Sequence, residues 1–310
     1  MSQNFVTCLY QADLGGLPTF ITLTWSKCLL SHTLSLSLSS SLSSPSTTST
    51  TINLSPSPSS PLLSLFCPAP RHSKSLPCPH HPNNHPPLSL FFDFSKAHFS
   101  QSPEPTSNFF LTILSPKSKT PALFFGDLHD EARNRTHNAC LLHPKLLSRR
   151  EHVFGTTDYK TQARLGSLGH SHEIAIECGK KEMVVRVDGV AVVRVERLEW
   201  KFRGNERVRV GGFGVEIFWD VYNWVFGGGG NGVFVFRTEG GEEGEVVGVG
   251  GPPVGGAERR MLRKKTLSSP SRSPASVLRW GERSGATSGS GGSGSPNSGF
   301  SLHLYAWKKE

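Results

Sequence analysis

Apolar and polar residues alternate with a period of two along much of this 310-residue chain, the spacing that gives each face of a β-strand its own row of side chains. Over residues 6 to 38, Val, Leu, Ile and Thr alternate with polar neighbours around Gly15-Gly16, which predicts two or three strands. A strand pair is predicted over 88 to 114. A short helix near 128 to 138 follows, with Asp127 as its N-cap and acids in its first turn. Residues 159 to 238 are the most clearly patterned. Asp188-Gly189, between apolar runs at 183–187 and 190–195, predicts a hairpin, because a type I′ turn needs positive φ at both central positions. Val193 and Val195 are apolar at odd positions, whereas Leu198, Trp200 and Phe202 are apolar at even ones. That parity switch predicts a bulge near Glu196 and Arg197, with Leu198, Trp200, Phe202, Ile217 and Trp219 buried on one face. Gly204-Asn205 predicts the next turn, residues 213–221 another strand, and Gly227 to Gly232 a loop before a strand at 233–236.

The pattern also repeats. Residues 11–17, 20–25, 90–99 and 109–114 find weak counterparts, in the same order, at 162–168, 173–178, 217–226 and 233–238. The fold expected is all-β: an antiparallel β-sandwich of two pseudo-repeated halves, one short helix and long disordered insertions. Its parts are first strands at 1–38, a main β domain at 88–238 and a last strand at 299–310, where bulky residues alternate. Residues 39–87 are rich in Ser, Pro and His, and residues 239–298 run from acidic and Gly-rich to basic and Ser-rich. Such composition buries too little apolar surface to offset the entropy of ordering.

The net charge of +9 changes little once it is located. Residues 121–257 hold 17 basic and 18 acidic side chains, whereas residues 258–283 hold eight basic and two acidic. A folded core without excess positive charge argues against nucleic-acid binding by that core. Six cysteines stand without CxxC spacing, which fits a reducing compartment. Apolar stretches near the N-terminus are cut by Asp13, Gly15, Gly16, Pro18 and Lys27, so neither a secretory signal nor a transmembrane segment is expected. The chain reads as intracellular, cytoplasmic or nuclear.

Candidate chemistry is sparse. Arg149, Arg150, Glu151 and His152 form the densest ionisable cluster, able to hold an anion or a carboxylated ligand. Set against that, neighbours in a strand face opposite ways and cannot all line one site. Asp93 and Asp220 hold equivalent places in the two halves. They suggest two-carboxylate glycosidase chemistry, which needs acids roughly 5 to 10 Å apart, but an acid at a strand end more often caps a turn. Trp200, Trp219, Tyr222 and Trp224 offer stacking surface for a sugar or peptide, or simply a core. Cys78, His80, His81 and His85 are metal-ligand types in a Pro-rich tract unsuited to a compact site, so no metal and no cofactor is expected. No GxGxxG or GxxxxGK(S/T) follows a predicted strand, since Gly227 to Gly230 falls in a loop between strands, and no GxSxG is present. The basic run from Arg259 to Lys265 is followed by Thr266, Ser269 and Ser273, candidate phosphorylation sites whose charge would offset the run. The function expected is a non-catalytic binding or interaction module with a protein partner. The alternative is a carbohydrate-binding or carbohydrate-active sandwich using Asp93, Asp220 and the tryptophans.

The runs VTCLYQADLGG at 6–16, SPEPTSNFF at 102–110, GDLHDEA at 126–132, RREHVFG at 149–155, RLEWKFRGNE at 197–206, VEIFWDVYNW at 215–224 and GFSLHLYAW at 299–307 resemble the plant family catalogued as domain of unknown function 868. The resemblance spans almost all of the chain outside 39–87. It implies a plant protein and brings no activity, cofactor or catalytic residue with it.

Overall fold

The computed structural model describes residues 4–28, 31–42, 47–54, 71–80, 86–100, 102–115, 121–137, 140–154, 158–165, 171–227, 230–238 and 299–307. Its strands fall into four antiparallel meanders of four. The first is β1 (Asn4–Asp13), β2 (Pro18–Lys27), β3 (His32–Ser39) and β4 (Thr47–Asn53). The second opens with β5 (Arg71–Leu76) and β6 (Leu88–Asp93). A small excursion, β7 (His98–Phe99) with β8 (Pro105–Ser107), precedes its last strands, β9 (Phe110–Leu114) and β10 (Ala122–Gly126). Helix α1 (His129–Thr136), the short β11 (Leu141–Leu142) and the ten-residue β12 (Lys145–Phe154) come next. The third meander is β13 (Asp158–Arg164), β14 (Ser171–Cys178), β15 (Glu182–Val187) and β16 (Val190–Glu196). The fourth is β17 (Arg203–Val210), β18 (Phe213–Asp220), β19 (Asn231–Thr238) and β20 (Ser301–Trp307), with helix α2 (Tyr222–Phe226) between β18 and β19.

The first and fourth meanders join through β12 into one nine-stranded sheet, ordered β17-β18-β19-β20-β12-β1-β2-β3-β4. Within it β12 and β20 run parallel, pairing Arg149 with Leu302 and Glu151 with Leu304. On the other side of β12, Cys8 pairs with Arg149 and Val6 with Glu151. Directly paired residues share a face, so Val6, Cys8, Arg149, Glu151, Leu302 and Leu304 all point the same way. On that inner face the second meander packs over β1–β4, around Ile21, Leu23, Trp25, Leu36 and Phe92. The third packs over β17–β20, around Ile174, Val185, Ile217, Trp224 and Phe236. The all-β class therefore stands, but the arrangement is one large sheet backing two cores side by side rather than a single sandwich. A third small core, of Phe110, Phe124 and Ala132, seats α1 on the far side of the second meander.

The four recurring sequence segments fall at the ends of β1 and β13, on β2 and β14, on β6 and β18, and on β9 and β19. Several local expectations fail for identifiable reasons. Asp188 and Gly189 do turn the β15–β16 hairpin, at φ 50° and 80°. After β16, however, the chain does not bulge and continue; Arg197, at φ 54°, starts a turn in which the amides of Trp200 and Lys201 bond back to its carbonyl. Leu198 stays buried while Trp200 is 80% exposed, so Trp200 is no core residue. Gly204-Asn205 is not a turn but lies within β17. A Cβ on Gly204 would come within 2.3 Å of the Trp219 ring, so glycine is there to admit the indole. Asp127 does not cap α1: its carboxylate accepts from the amides of Asn108 and Phe109 instead. Residues 39–87 include two strands, β4 and β5, and α2 is a second helix that the sequence reading lacks. Residues 239–298 lie outside the described residues.

Candidate functional site

Strand β12 divides the ionisable cluster by parity. Arg149 and Glu151 point inward, to the seam between the two cores; Arg150 and His152 point outward. Inside, the Arg149 guanidinium donates to Glu151 at 2.5 Å and to Glu104 at 2.6 Å, and lies 3.6 Å from the Cys8 sulfur. The Thr161 hydroxyl completes the shell of Glu151 at 2.6 Å. Burial opposes the charge on Arg149, but the two carboxylates more than offset that and hold it charged far into the alkaline range. Burial pushes the Cys8 thiol up to about 12, against the pull of Arg149, so it is a protonated packing group and no nucleophile. This inner cluster is closed and self-satisfied; its chemistry is to fasten the two cores.

The outward face is different in kind. His152 stacks on Tyr305 at 4.7 Å and on Trp307 at 5.4 Å, Phe154 stacks on Trp307 at 4.5 Å, and Phe5 meets His152 edge-on at 6.1 Å. These planar groups come from three adjacent strands, β1, β12 and β20. None of the three cores includes a residue of this face. By register it also carries Arg203, Arg207 and Arg209 of β17, Arg237 of β19 and Arg150 and Lys145 of β12, against Asp13 of β1 and Glu216 and Asp220 of β18. Arg237 lies over the Phe218 ring at 5.5 Å. His303, nearly buried on this side, is pushed down to about 4 by burial and then by Arg150 and Arg237. Burial and Arg150 likewise hold His152 below its ordinary value. Both imidazoles are thus neutral among cations near pH 7.

Asp93 and Asp220 sit in different sheets, on β6 and β18. Asp93 accepts from the amide of Ser95 at 2.9 Å, and Asp220 from that of Tyr222 at 3.1 Å. Each thus caps the turn that follows its strand, with Arg135 3.8 Å from Asp93 and Arg203 2.8 Å from Asp220. Trp219 is buried and donates its indole N–H to the Lys201 carbonyl at 3.0 Å; Trp224 is core, edge-on to Tyr159 at 6.0 Å. Neither indole is open to solvent. Phe202, Tyr222 and Phe226 form a partly exposed aromatic patch with Arg203 over Phe202 and Tyr222. No group of three metal-ligand side chains occurs among the described residues. His80 sits 3.1 Å from the Thr19 hydroxyl; His81, His85, Thr266, Ser269 and Ser273 lie outside the described residues.

Glu104, Cys8 and Thr161 inside, and Tyr305, Trp307 and Phe154 outside, are the site residues that sequence reasoning missed. Their convergence depends on strands far apart in the chain pairing with β12. The available signal was the alternation of bulky residues over 299–307, which already marked that strand as returning to the sheet.

The fold and site define an all-β protein with an aromatic and cationic sheet face that none of the three cores among the described residues covers. Residues 1–308 match the family described as plant protein of unknown function (DUF868), and the chain belongs to that family. No curated protein and no solved structure matches it.

Proposed function

We propose that the chain is a non-catalytic binding module, and that the outward face of its nine-stranded sheet receives an acidic segment of a protein partner. The observation that carries this reading is the composition of that face: five arginines and Lys145 against Asp13, Glu216 and Asp220, on the same sheet face as the stack of His152, Tyr305, Trp307 and Phe154. Aromatic and Arg side chains are the groups that concentrate binding energy at interfaces, and the excess positive charge selects an acidic occupant. Nothing comparable supports the carbohydrate reading, since Asp93 and Asp220 are engaged in separate turns and Trp219 and Trp224 are inside. Among the described residues no helix is long and apolar enough to cross a membrane; a cytoplasmic or nuclear setting is part of the proposal. The test is cross-linking mass spectrometry of the full chain in plant extract beside an Arg150→Glu/Arg207→Glu variant. A partner whose cross-linked peptide is acidic and maps to β12, β17 or β20, and which the variant loses, supports the reading. Cross-links that map elsewhere and persist in the variant, or retention on a glycan or RNA panel that the variant abolishes, overturn it.

A further inference from the structure

At the start of α1 the His129 imidazole is held from one side: its Nδ1 lies 2.9 Å from the Asp127 carbonyl oxygen. A carbonyl oxygen only accepts, so Nδ1 carries the proton and Nε2 of the neutral ring keeps its lone pair. That Nε2 faces Nε2 of His143, just beyond β11, at 3.4 Å. Both rings rest on Phe124, which is fully buried: His129 at 4.4 Å and His143, edge-on, at 5.3 Å. The pair is therefore positioned by the small core under α1, and it is open to solvent.

At 3.4 Å the two nitrogens stand beyond the separation of about 2.7 to 3.2 Å at which N–H donors usually meet their acceptors. Two ligands of one tetrahedral ion need a wider gap. Metal–nitrogen bonds of about 2.0 to 2.1 Å opened to the tetrahedral angle put the nitrogens about 3.3 to 3.4 Å apart. Adjacent ligands at right angles on a square or octahedral ion would sit at about 2.9 Å. We propose that His129 and His143 are the two protein ligands of a surface zinc(II) site, with water in the remaining tetrahedral positions. The bond from Nδ1 to a backbone carbonyl is the outer contact that orients metal-binding imidazoles and fixes their tautomer. Arg164 opposes a cation near His143, while Asp130 and Glu131 in the first turn of α1 favour one. Two ligands make the site one for exchangeable rather than structural metal.

The experiment is a zinc(II) titration of the full chain, followed by the Nε2 resonances of the histidines and by calorimetry. One equivalent of zinc should move the Nε2 signals of His129 and His143 together. His143→Gln, at an exposed position outside the strands, should keep the circular dichroism of the parent and lose about tenfold or more of the affinity; His129→Ala should do the same. If neither Nε2 signal moves, if only those of His80, His81 and His85 do, or if His143→Gln binds as tightly as the parent, the site does not exist.

Discussion

Arg149 and Glu104 stand 45 positions apart in the chain, yet the guanidinium of the first donates to the carboxylate of the second at 2.6 Å. With Glu151 also accepting from the cation, this is a part-buried charge cluster at the seam of two cores. Its stability contribution against an apolar seam is small, but removing one partner strands the others. Arg149→Met leaves the Glu104 and Glu151 carboxylates at a part-buried seam without their shared cation and should cost about 3 kcal/mol, the low end of the range for a buried partner. Glu104→Gln leaves Arg149 paired with Glu151, so its cost should be nearer 1 to 2 kcal/mol, roughly one charge-assisted hydrogen bond. Urea unfolding of both variants checks the order; equal losses would mean that the cluster does not act as drawn.

Two tryptophans at strand ends should behave oppositely. Trp200, 80% exposed in the turn after β16, should tolerate alanine within about 0.5 kcal/mol. Trp219, buried and hydrogen-bonded to Lys201, should lose about 3 to 5 kcal/mol on the same change. The comparison needs only denaturation midpoints at matched slope.

Gly204→Ala puts a methyl where the Trp219 ring already lies. Overpacking of this kind costs about 1 to 3 kcal/mol, and the penalty should shrink when Trp219 becomes Phe. A double-mutant cycle in urea reads the coupling directly.

His303 makes stability depend on pH. Unfolded, it titrates near 6.5; folded, near 4. Above about pH 6.5 it is neutral in both states and has no effect. As the pH falls from there to about 4, the unfolded chain takes up a proton that the folded chain refuses, and stability falls by up to about 3 kcal/mol. His303→Gln removes that part of the decline, while the carboxylates contribute alike to both proteins. If parent and variant lose stability in parallel over this window, His303 is not held neutral by the fold.

What the sequence disclosed follows from the range of the interactions. Period-two alternation named β2 and β18, because each is buried on one face and writes that fact into neighbouring residues. The Asp188-Gly189 turn was legible because positive φ at two successive positions has few solutions. Trp200 was misassigned because a turn and a shifted strand produce the same parity change; only the backbone bonds to Arg197 separate them. Asp127 looked like a cap because the acid-rich turn beside it was visible, whereas its true partners, Asn108 and Phe109, lie across a hairpin. The outward stack was least legible of all, since His152 meets Tyr305 and Trp307 through a parallel pairing that spans about half the chain.

That pairing has a consequence for how the protein is made. Strand β20 is laid between β19 and β12, in the interior of the sheet, although 62 positions separate Thr238 from Phe300, which are bonded to each other at its entrance. At ordinary translation speeds of about 5 to 20 residues per second the ribosome needs on the order of 3 to 12 s to supply that stretch. Through that interval the rims of β12 and β19 are unpaired and available to neighbouring nascent chains. A chain cut short before residue 299 would keep both rims bare permanently, so premature termination here produces an aggregation seed rather than a slightly shorter protein.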